Sequence, residues 1–220
     1  MGRLLNVITM LHKKTQRDYV GRMTDDKVEC MKIAKRYDGD YWDGDRRHGY
    51  GGFRYDGRWE AVARRLIEIY NLPPDAKILD VGCGKGFLLY ELSKLLPESK
   101  VTGFDISEYA IENAKEEIKD KLFVYKAQDP YPYGDDEFDL VFSINTIHNL
   151  HVYEVKAALQ EMERVGKNKF VEVEGYRNEE ELFNLQCWVL TGECFFKPQE
   201  WIWMFNEFGY RGDYEFIYFE

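Results

Sequence analysis

The sequence lacks the features that mark several classes of protein. Its four cysteines form no C-x-x-C pair, which argues against a zinc ribbon and against the disulfide framework of a secreted protein. It has no apolar run near the roughly 20 residues that a membrane-spanning helix needs, and residues 1–11 lack the long apolar stretch of a signal peptide. We therefore expect reduced cysteines and a cytoplasmic location.

Positive charge is scarce relative to negative charge. The chain carries 40 acidic and 30 basic side chains, which gives a formal net charge of -10 at pH 7. A field of this sign repels phosphate backbones and anionic lipid headgroups. We therefore expect neither nucleic acid nor a membrane as a partner, and the length of 220 residues suits one domain.

Short apolar runs alternate with amphipathic stretches through most of the chain. Apolar runs bounded by turn residues predict strands, and apolar residues spaced three and four apart predict helices. The predicted strands are 77–81, 100–105, 123–125, 138–144 and 169–174, and the predicted helices are 87–96, 108–119, 152–165, 178–190 and 198–208. This alternation predicts an α/β fold with a doubly wound, mostly parallel sheet.

The first part of the chain differs from this regular pattern. Residues 25–37 predict a helix with Thr24 as its cap, and residues 38–57 are too rich in Gly, Asp and Tyr for a helix or a strand. A loop this long is usually functional or disordered, and its aromatic content argues against disorder. We expect an N-terminal helical and loop extension over residues 1–58, forming a lid or substrate region, and a core over residues 59–220.

The strongest local motif follows the first predicted strand. Asp80 precedes glycines at positions 82, 84 and 86, and glycine lets the backbone turn sharply and approach a ligand closely. A dinucleotide-binding turn would read G-x-G-x-x-G, whereas this motif reads D-x-G-x-G-x-G. An acid before the glycines suits a cationic ligand group, and the alternative interpretation is a tight strand-to-helix turn without a ligand.

A second acidic residue, Asp105, ends the next predicted strand. In a doubly wound sheet its carboxylate would lie beside the glycine turn, where it can accept hydrogen bonds from two hydroxyls of a ribose. The alternative is a helix cap, because Asp105 or Ser107 can open the helix that begins near Glu108. The combination of Asp80, the glycines and Asp105 on consecutive strand ends is more specific than any one of them.

With these motifs the chain resembles the class I S-adenosylmethionine-dependent methyltransferases, particularly the small-molecule enzymes grouped as methyltransferase type 11, over residues 59–209. The resemblance implies a Rossmann-like methyltransferase fold with S-adenosylmethionine as the cofactor. It implies that Asp105 holds the ribose and that Ile106 packs on the adenine. The residues that it places around the methionine end are Asp80, Gly82, Cys83, Gly84 and Gly86.

The chain departs from the family pattern in two places. Relatives usually carry Gly-Asp-Ala after the third strand, where this chain has Lys-Ala-Gln-Asp, so Gln128 or Asp129 would contact the adenine instead. Relatives also tend to end in a helix and a two-stranded hairpin. Here only residues 214–219 follow Gly209 as an apolar run, which leaves the edge of the sheet open.

The segment after the fourth strand carries candidate catalytic residues, because ligands bind outside the carboxyl ends of strands in such sheets. His148 is the candidate general base for a hydroxyl acceptor, since a histidine titrates near neutral pH. The alternative is that His148 only packs the loop, because alignment alone suffices for methyl transfer in many enzymes. We assign Asn145 to the cofactor site and Asn149 to the acceptor site.

The loop over residues 38–57 and its flanks supply candidate groups for the methyl acceptor. Arginine binds carboxylate or phosphate through two hydrogen bonds, and aromatic faces suit a sugar or another ring. The candidate acceptor-binding residues are Tyr41, Trp42, Arg46, Arg54 and Arg58. We predict a small polar acceptor, anionic or sugar-containing, although the arginines could instead pair with loop aspartates at the surface. The aspartate spacing misses a calcium-loop register, so no metal is expected.

Two other functions remain open from the sequence. A nucleotide-dependent oxidoreductase is disfavoured by the missing G-x-G-x-x-G pattern. A non-catalytic S-adenosylmethionine-binding sensor is compatible with the motifs, because those for the cofactor are stronger than those for the acceptor. The aromatic end of the chain, with Trp201, Trp203 and Phe216, would also suit a homodimer interface.

Overall fold

The computed structural model describes residues 2–50 and 53–220 and contains one six-stranded sheet. The strands are β1 (Lys77–Val81), β2 (Lys100–Asp105), β3 (Leu122–Val124), β4 (Phe138–Ser143), β5 (Gly166–Glu174) and β6 (Asp213–Ile217). Their order is β3-β2-β1-β4-β5-β6, and every neighbouring pair is parallel. The order reverses between β1 and β4, so the predicted doubly wound α/β fold is confirmed.

Helices connect and cover the strands. They are α1 (Thr9–His12), α2 (Tyr19–Thr24), α3 (Lys27–Ala34), α4 (Gly39–Trp42), α5 (Glu60–Tyr70), α6 (Phe87–Leu95), α7 (Glu108–Glu112), α8 (Val152–Val165), α9 (Glu179–Trp188) and α10 (Pro198–Glu207). Two 3₁₀ turns add Lys119–Lys121 and Ile147–Asn149. No helix in the parts of the chain that the structure describes has the length and apolar composition required to cross a membrane.

Apolar layers bury both faces of the sheet, as a parallel sheet requires. Successive side chains of a strand point to opposite faces, so Leu79 and Val81 of β1 lie in one layer and Ile78 lies in the other. Helices α8 and α10 cover the first layer, with Leu159 and Trp201 fully buried, and α5 and α6 cover the second. This packing leaves the carboxyl ends of the strands together at one edge.

Three local predictions are wrong. The helix after β2 ends at Glu112 rather than at residue 119, because the Asn113 side chain donates to the Tyr109 carbonyl at 2.8 Å and competes with the backbone. Thr24 does not cap α3 but ends α2, where its hydroxyl donates to the Val20 carbonyl at 3.0 Å. The predicted loop begins with the one-turn helix α4, since the Asp38 carboxylate caps it by accepting from the Asp40 amide at 3.1 Å.

The N-terminal residues pair with the last strand. The amide of Leu5 donates to the Tyr214 carbonyl at 2.8 Å, and the amide of Tyr214 donates to the Arg3 carbonyl at 3.0 Å. This pairing covers the edge of β6, whose structure could not be predicted from the sequence. The division of the chain at residue 58 stays a prediction, and these contacts cross it.

Candidate active site

A cavity of about 390 Å³ lies at the carboxyl ends of the strands. The turn after β1 contributes Gly82 and Gly84, the end of β2 contributes Asp105, and the segments after β3 and β4 contribute Gln128 and Asn145. These elements meet at the point where the strand order reverses, which is where ligands bind in doubly wound sheets. We call it the first cavity.

The glycines of the motif have two different roles. Gly84 has φ +54°, and a Cβ there would lie 2.8 Å from Cη2 of Trp42, so a side chain would push against the wall of the first cavity. Gly86 has φ +72° and begins α6. A Cβ at Gly86 would lie 2.5 Å from Cδ1 of Ile118, and Gly86 does not line the first cavity. Gly86 therefore serves packing, whereas Gly84 shapes the cavity.

The Asp105 carboxylate is buried and held by the backbone. Its Oδ2 accepts from the amide of Gly84 at 2.9 Å, and its Oδ1 accepts from the amide of Ser107 at 2.9 Å. Burial raises the pKa of Asp105, and these hydrogen bonds oppose the rise. Ser107 is the residue that caps α7, accepting from the Ala110 amide at 3.0 Å. The remaining acceptor capacity of Asp105 is available to hydroxyl donors of a ligand.

Asp80 is the least satisfied group of the first cavity. Its side chain is 5% exposed and accepts no hydrogen bond from any residue within 2–50 and 53–220. Burial and the nearby Asp105 carboxylate raise the pKa of Asp80 well above its usual value. A cationic ligand group would stabilise the charged form of this carboxylate.

The segment after β3 distinguishes the two candidates for the adenine contact. Gln128 lines the first cavity, and its Nε2 donates to Oε1 of Glu154 at 3.2 Å. Asp129 lines neither this cavity nor the second one described below. Ile106 lines the first cavity with half of its surface exposed, while Cys83 lies in the turn at its base.

The N-terminal extension forms one wall of the first cavity. Nε1 of Trp42 donates to Oγ of Ser107 at 2.8 Å, and Tyr41 packs edge-on against Trp42 with 5.1 Å between ring centroids. Lys85 of the glycine turn, only 7% exposed, forms an ion pair with Asp43. Sequence reasoning missed Lys85, although it stands between two glycines of the motif.

Asn145 adopts a left-handed backbone conformation at the end of β4, with φ 55°. Its amide donates to Oε2 of the fully buried Glu172 at 2.8 Å, which holds this turn in place. Both Asn145 and Asn149 line the first cavity and also a second cavity of about 270 Å³. We call this the second cavity, and the two share a wall.

The structure separates the three candidate arginines. Arg54 and Arg58 line the second cavity, and Arg58 also pairs with Asp56. Arg46 lines neither cavity, because its guanidinium lies 5.3 Å from the Trp188 ring centroid and donates to a backbone carbonyl. The pairing with a loop aspartate that the surface alternative predicts is present for Arg58, whereas Arg46 contacts Trp188 and a backbone carbonyl instead.

His148 is buried, with 3% exposure, and lines only the second cavity. Its Nδ1 accepts from the amide of Glu174 at 3.3 Å, which places the proton of the neutral ring on Nε2. Burial lowers the pKa of His148 to about 3. The lone pair on Nδ1, which a general base would use to take a proton, is thus already engaged in this hydrogen bond. The role of His148 as general base stays a prediction.

Glu174 was also missed by sequence reasoning. It ends β5 and lines the second cavity. The rule that selected Asn145, a polar residue at the carboxyl end of a parallel strand, selects Glu174 equally well. Arg17, which lines the same cavity, carries no local signal, because it lies far from the motifs in the sequence.

Residues 72–209 match the family model described as a methyltransferase domain. This is more than half of the chain. The chain belongs to the methyltransferase domain family. The match includes the glycine turn and Asp105, so the resemblance to class I S-adenosylmethionine-dependent methyltransferases is confirmed.

The relatives of this methyltransferase-family chain include proteins named for two different activities. It is 29% identical to the demethylmenaquinone methyltransferase of Roseiflexus sp. (strain RS-1) over 153 residues, 68% of this chain and 56% of that protein. It is 28% identical to the mouse protein "Arginine-hydroxylase NDUFAF5, mitochondrial" over 61% of this chain and 39% of that protein. The chain therefore spans between about two fifths and three fifths of the lengths of these relatives.

Solved structures show the same fold. A putative methyltransferase from Bacillus halodurans C-125 superposes with a TM-score of 0.55 over 67% of this chain and 68% of that one, at 20% sequence identity. At this identity the likeness establishes the fold alone. The alternating pattern of strands and helices therefore predicts the architecture correctly.

Proposed function

We propose that this chain is an S-adenosylmethionine-dependent methyltransferase that acts on a small polar acceptor. The observation that carries the proposal is the first cavity, where the unpaired carboxylate of Asp80, the backbone-held carboxylate of Asp105 and the glycine turn lie on adjacent strand ends. The small second cavity beside it supports a small acceptor.

The residues of the first cavity fit this cofactor. Asp80 lacks a protein donor in the described ranges and would bind the ammonium group of the methionine moiety. Asp105 has acceptor capacity left for the ribose hydroxyls, and Gln128, which lines the same cavity, would contact the adenine. When bound, the cofactor supplies a methyl group already activated on a sulfonium sulfur.

The chain itself contributes positioning and exclusion of water. Tyr41, Trp42 and Phe53 of the N-terminal extension form an aromatic wall shared with the first cavity. An enclosed site keeps water from competing with the acceptor for the methyl group. An acceptor that is held in the reactive orientation also loses less entropy on reaching the transition state. Asn145 and Asn149, which line both cavities, stand where the two ligands would meet.

The first test is calorimetric titration with S-adenosylmethionine, S-adenosylhomocysteine and a nicotinamide dinucleotide. The proteins are wild type, Asp105→Asn and the control Asp120→Asn, whose carboxylate is exposed and away from the cavity. We expect the first two ligands to bind wild type and control equally, and Asp105→Asn about tenfold more weakly. Binding of the dinucleotide alone would favour the oxidoreductase.

A second experiment separates catalysis from sensing. The protein is incubated with S-adenosylmethionine carrying a labelled methyl group and a panel of small hydroxy compounds, and the products are identified by mass spectrometry. A methylated product supports the proposal. Tight cofactor binding without any methylated product would identify a sensor.

A further inference from the structure

Three residues that line the second cavity each carry a buried polar atom without a hydrogen-bond partner within residues 2–50 and 53–220. The atoms are Nε of Arg17, Oδ1 of Asn149 and Oε2 of Glu174. Buried polar groups without partners are rare in folded proteins, because each one loses its hydration without compensation. Their concentration in one cavity indicates a ligand that supplies both an acceptor and a donor.

Arg17 is fixed in place, with its NH2 group 3.0 Å from Nδ1 of His12, and its Nε–H has no partner within the described residues. Its NH1 group donates to the carbonyls of His12 at 3.3 Å and Thr15 at 3.1 Å, and its guanidinium lies 5.6 Å from the Trp188 ring centroid and 5.1 Å from that of Phe219. It forms no ion pair with a carboxylate of the described chain. A rigid guanidinium with a free Nε–H suits the carboxylate of a ligand.

Glu174 supplies the complementary acceptor. It is 8% exposed, and its Oε2 lies 3.5 Å from Nε2 of His148 without a hydrogen-bonding geometry. Burial raises the pKa of Glu174 to about 8, while the charges of Arg17 and Lys27 oppose the rise. The charged or titratable groups that act on it are His148, Arg17, Lys27, Tyr41, Tyr50 and Glu172.

The walls between these polar groups are largely aromatic. The rings include Tyr41, Tyr50, Phe53, Trp59, Trp188 and Phe219. Aromatic side chains pack well against a flat ring through stacked or edge-on contacts. The cavity of about 270 Å³ limits the ligand to a small molecule.

We propose that the second cavity binds the methyl acceptor and that this acceptor is an aromatic hydroxy acid, with its carboxylate on Arg17 and its hydroxyl on Glu174. This inference rests on the proposed methyltransferase function. Glu174 Oε2 takes the hydroxyl proton while the acceptor oxygen bonds to the methyl carbon. The carbon–sulfur bond breaks, and its electron pair stays on the sulfur, which leaves S-adenosylhomocysteine and a methyl ether. The proton on Glu174 then passes to water.

The test measures binding, independently of turnover. The full chain, loaded with S-adenosylhomocysteine, is titrated with 3-hydroxybenzoate, 4-hydroxybenzoate, benzoate and phenol. We expect at least one hydroxybenzoate to bind about tenfold more tightly than both benzoate and phenol. In Arg17→Gln the advantage over phenol should disappear.

Arg46→Gln is the matched control, because Arg46 stacks on the same Trp188 but lines neither cavity. It should keep the wild-type preference. Since Arg17 also holds the carbonyls of His12 and Thr15, Arg17→Lys is a second variant that keeps the charge. We expect it to retain part of the preference for the hydroxybenzoate.

The outcomes distinguish the inference from the proposed function. If S-adenosylhomocysteine binds but the four probes bind equally, or if Arg17→Gln keeps the preference, the inference is overturned and the proposed function stands. If S-adenosylhomocysteine does not bind at all, the proposed function is overturned. The acceptor role falls with it, even where a hydroxybenzoate still binds through Arg17.

Discussion

Nζ of Lys85 lies 2.6 and 2.7 Å from the two carboxylate oxygens of Asp43. This ion pair joins the glycine turn to the N-terminal extension. The hydroxyl of Tyr109 also donates to Asp43 at 2.9 Å. Burial of the Asp43 carboxylate opposes its ionisation, but the hydrogen bonds from Lys85 and Tyr109 dominate and lower its pKa. The aromatic wall is therefore joined directly to the glycine turn.

Asp43→Asn should loosen this attachment. Lys85 would remain buried without a charged partner, with the Phe53 carbonyl at 3.3 Å and the amide oxygen of the substituted side chain as its acceptors. We expect the free energy of unfolding to fall by about 1–2 kcal/mol, less than for a fully buried pair because Asp43 is one-third exposed. Urea denaturation measures the change, and Asp40→Asn in the same segment, with an exposed carboxylate, should change it little.

Alanine at Gly84 and at Gly86 should have different effects. Both substitutions place a side chain at positive φ, which costs about 1–2 kcal/mol. Gly84→Ala also displaces Trp42, so we expect binding of S-adenosylhomocysteine to weaken about tenfold. Gly86→Ala presses on Ile118 and should lower the unfolding free energy further with little change in affinity. Equal affinities in the two variants would contradict the distinction between cavity and packing roles.

The hydrogen bond between Asn145 and the buried side chain of Glu172 can be tested by substitution. Burial and the charges of Glu174 and Glu215 raise the pKa of Glu172 well above its usual value, and the hydrogen bond from the Asn145 amide opposes the rise. Glu172→Gln preserves an acceptor of the same shape and should be tolerated. Glu172→Leu leaves the Asn145 amide without its acceptor and should cost about 1–3 kcal/mol in unfolding free energy. Equal losses in both variants would show that an acceptor of the same shape is not sufficient at this position.

Glu215 anchors the N-terminal residues to β6. Its carboxylate accepts from the amides of Val7 at 2.6 Å, Ile8 at 2.9 Å and Thr9 at 2.7 Å. Glu215→Gln replaces one carboxylate oxygen by an NH2 group, which cannot accept from these backbone N–H groups. We therefore expect the free energy of unfolding to fall by about 2–4 kcal/mol. Hydrogen exchange should show faster exchange of these three amides, while the exposed control Glu207→Gln leaves them protected.

The raised pKa of Glu174 predicts the pH dependence of methyl transfer. Only the deprotonated form accepts the hydroxyl proton, so the rate should rise with pH and level off above a midpoint near 8. His148, with a pKa of about 3, stays neutral over this range and adds no inflection near pH 6.5. Glu174→Gln should abolish the rise, and a profile that is flat in wild type would refute the assignment of the base.

The raised pKa of Glu174 also predicts a pH dependence of protein stability, which can be measured without an activity assay. The pKa of Glu174 is raised by folding from about 4.3 in the unfolded chain, so the folded state binds the extra proton between these values. The stability of wild type relative to Glu174→Gln is therefore highest below about pH 4.3 and is lost as the pH rises through 8. Denaturation curves of both proteins at several pH values measure this difference.

That Asp80, the glycine turn and Asp105 meet at one cavity was predictable because their signals are local. Asp80, the glycine turn and Asp105 lie at the ends of strands that periodicity alone predicts, and parallel strands bring these ends together. The choice between Gln128 and Asp129 was not predictable, because the turn after β3 decides which side chain faces the cavity.

The sequence by itself determined the alternation of strands and helices, the turn at Gly84 and the edge of the sheet where ligands bind, because periodicity and glycine conformation act over a few residues. Only the tertiary structure decided that Arg17 and Glu174 line one cavity and that Arg46 lies outside it. These residues are brought together or kept apart by packing of the N-terminal segment across the sheet. That packing depends on burial summed over the whole chain and leaves no mark in the local pattern.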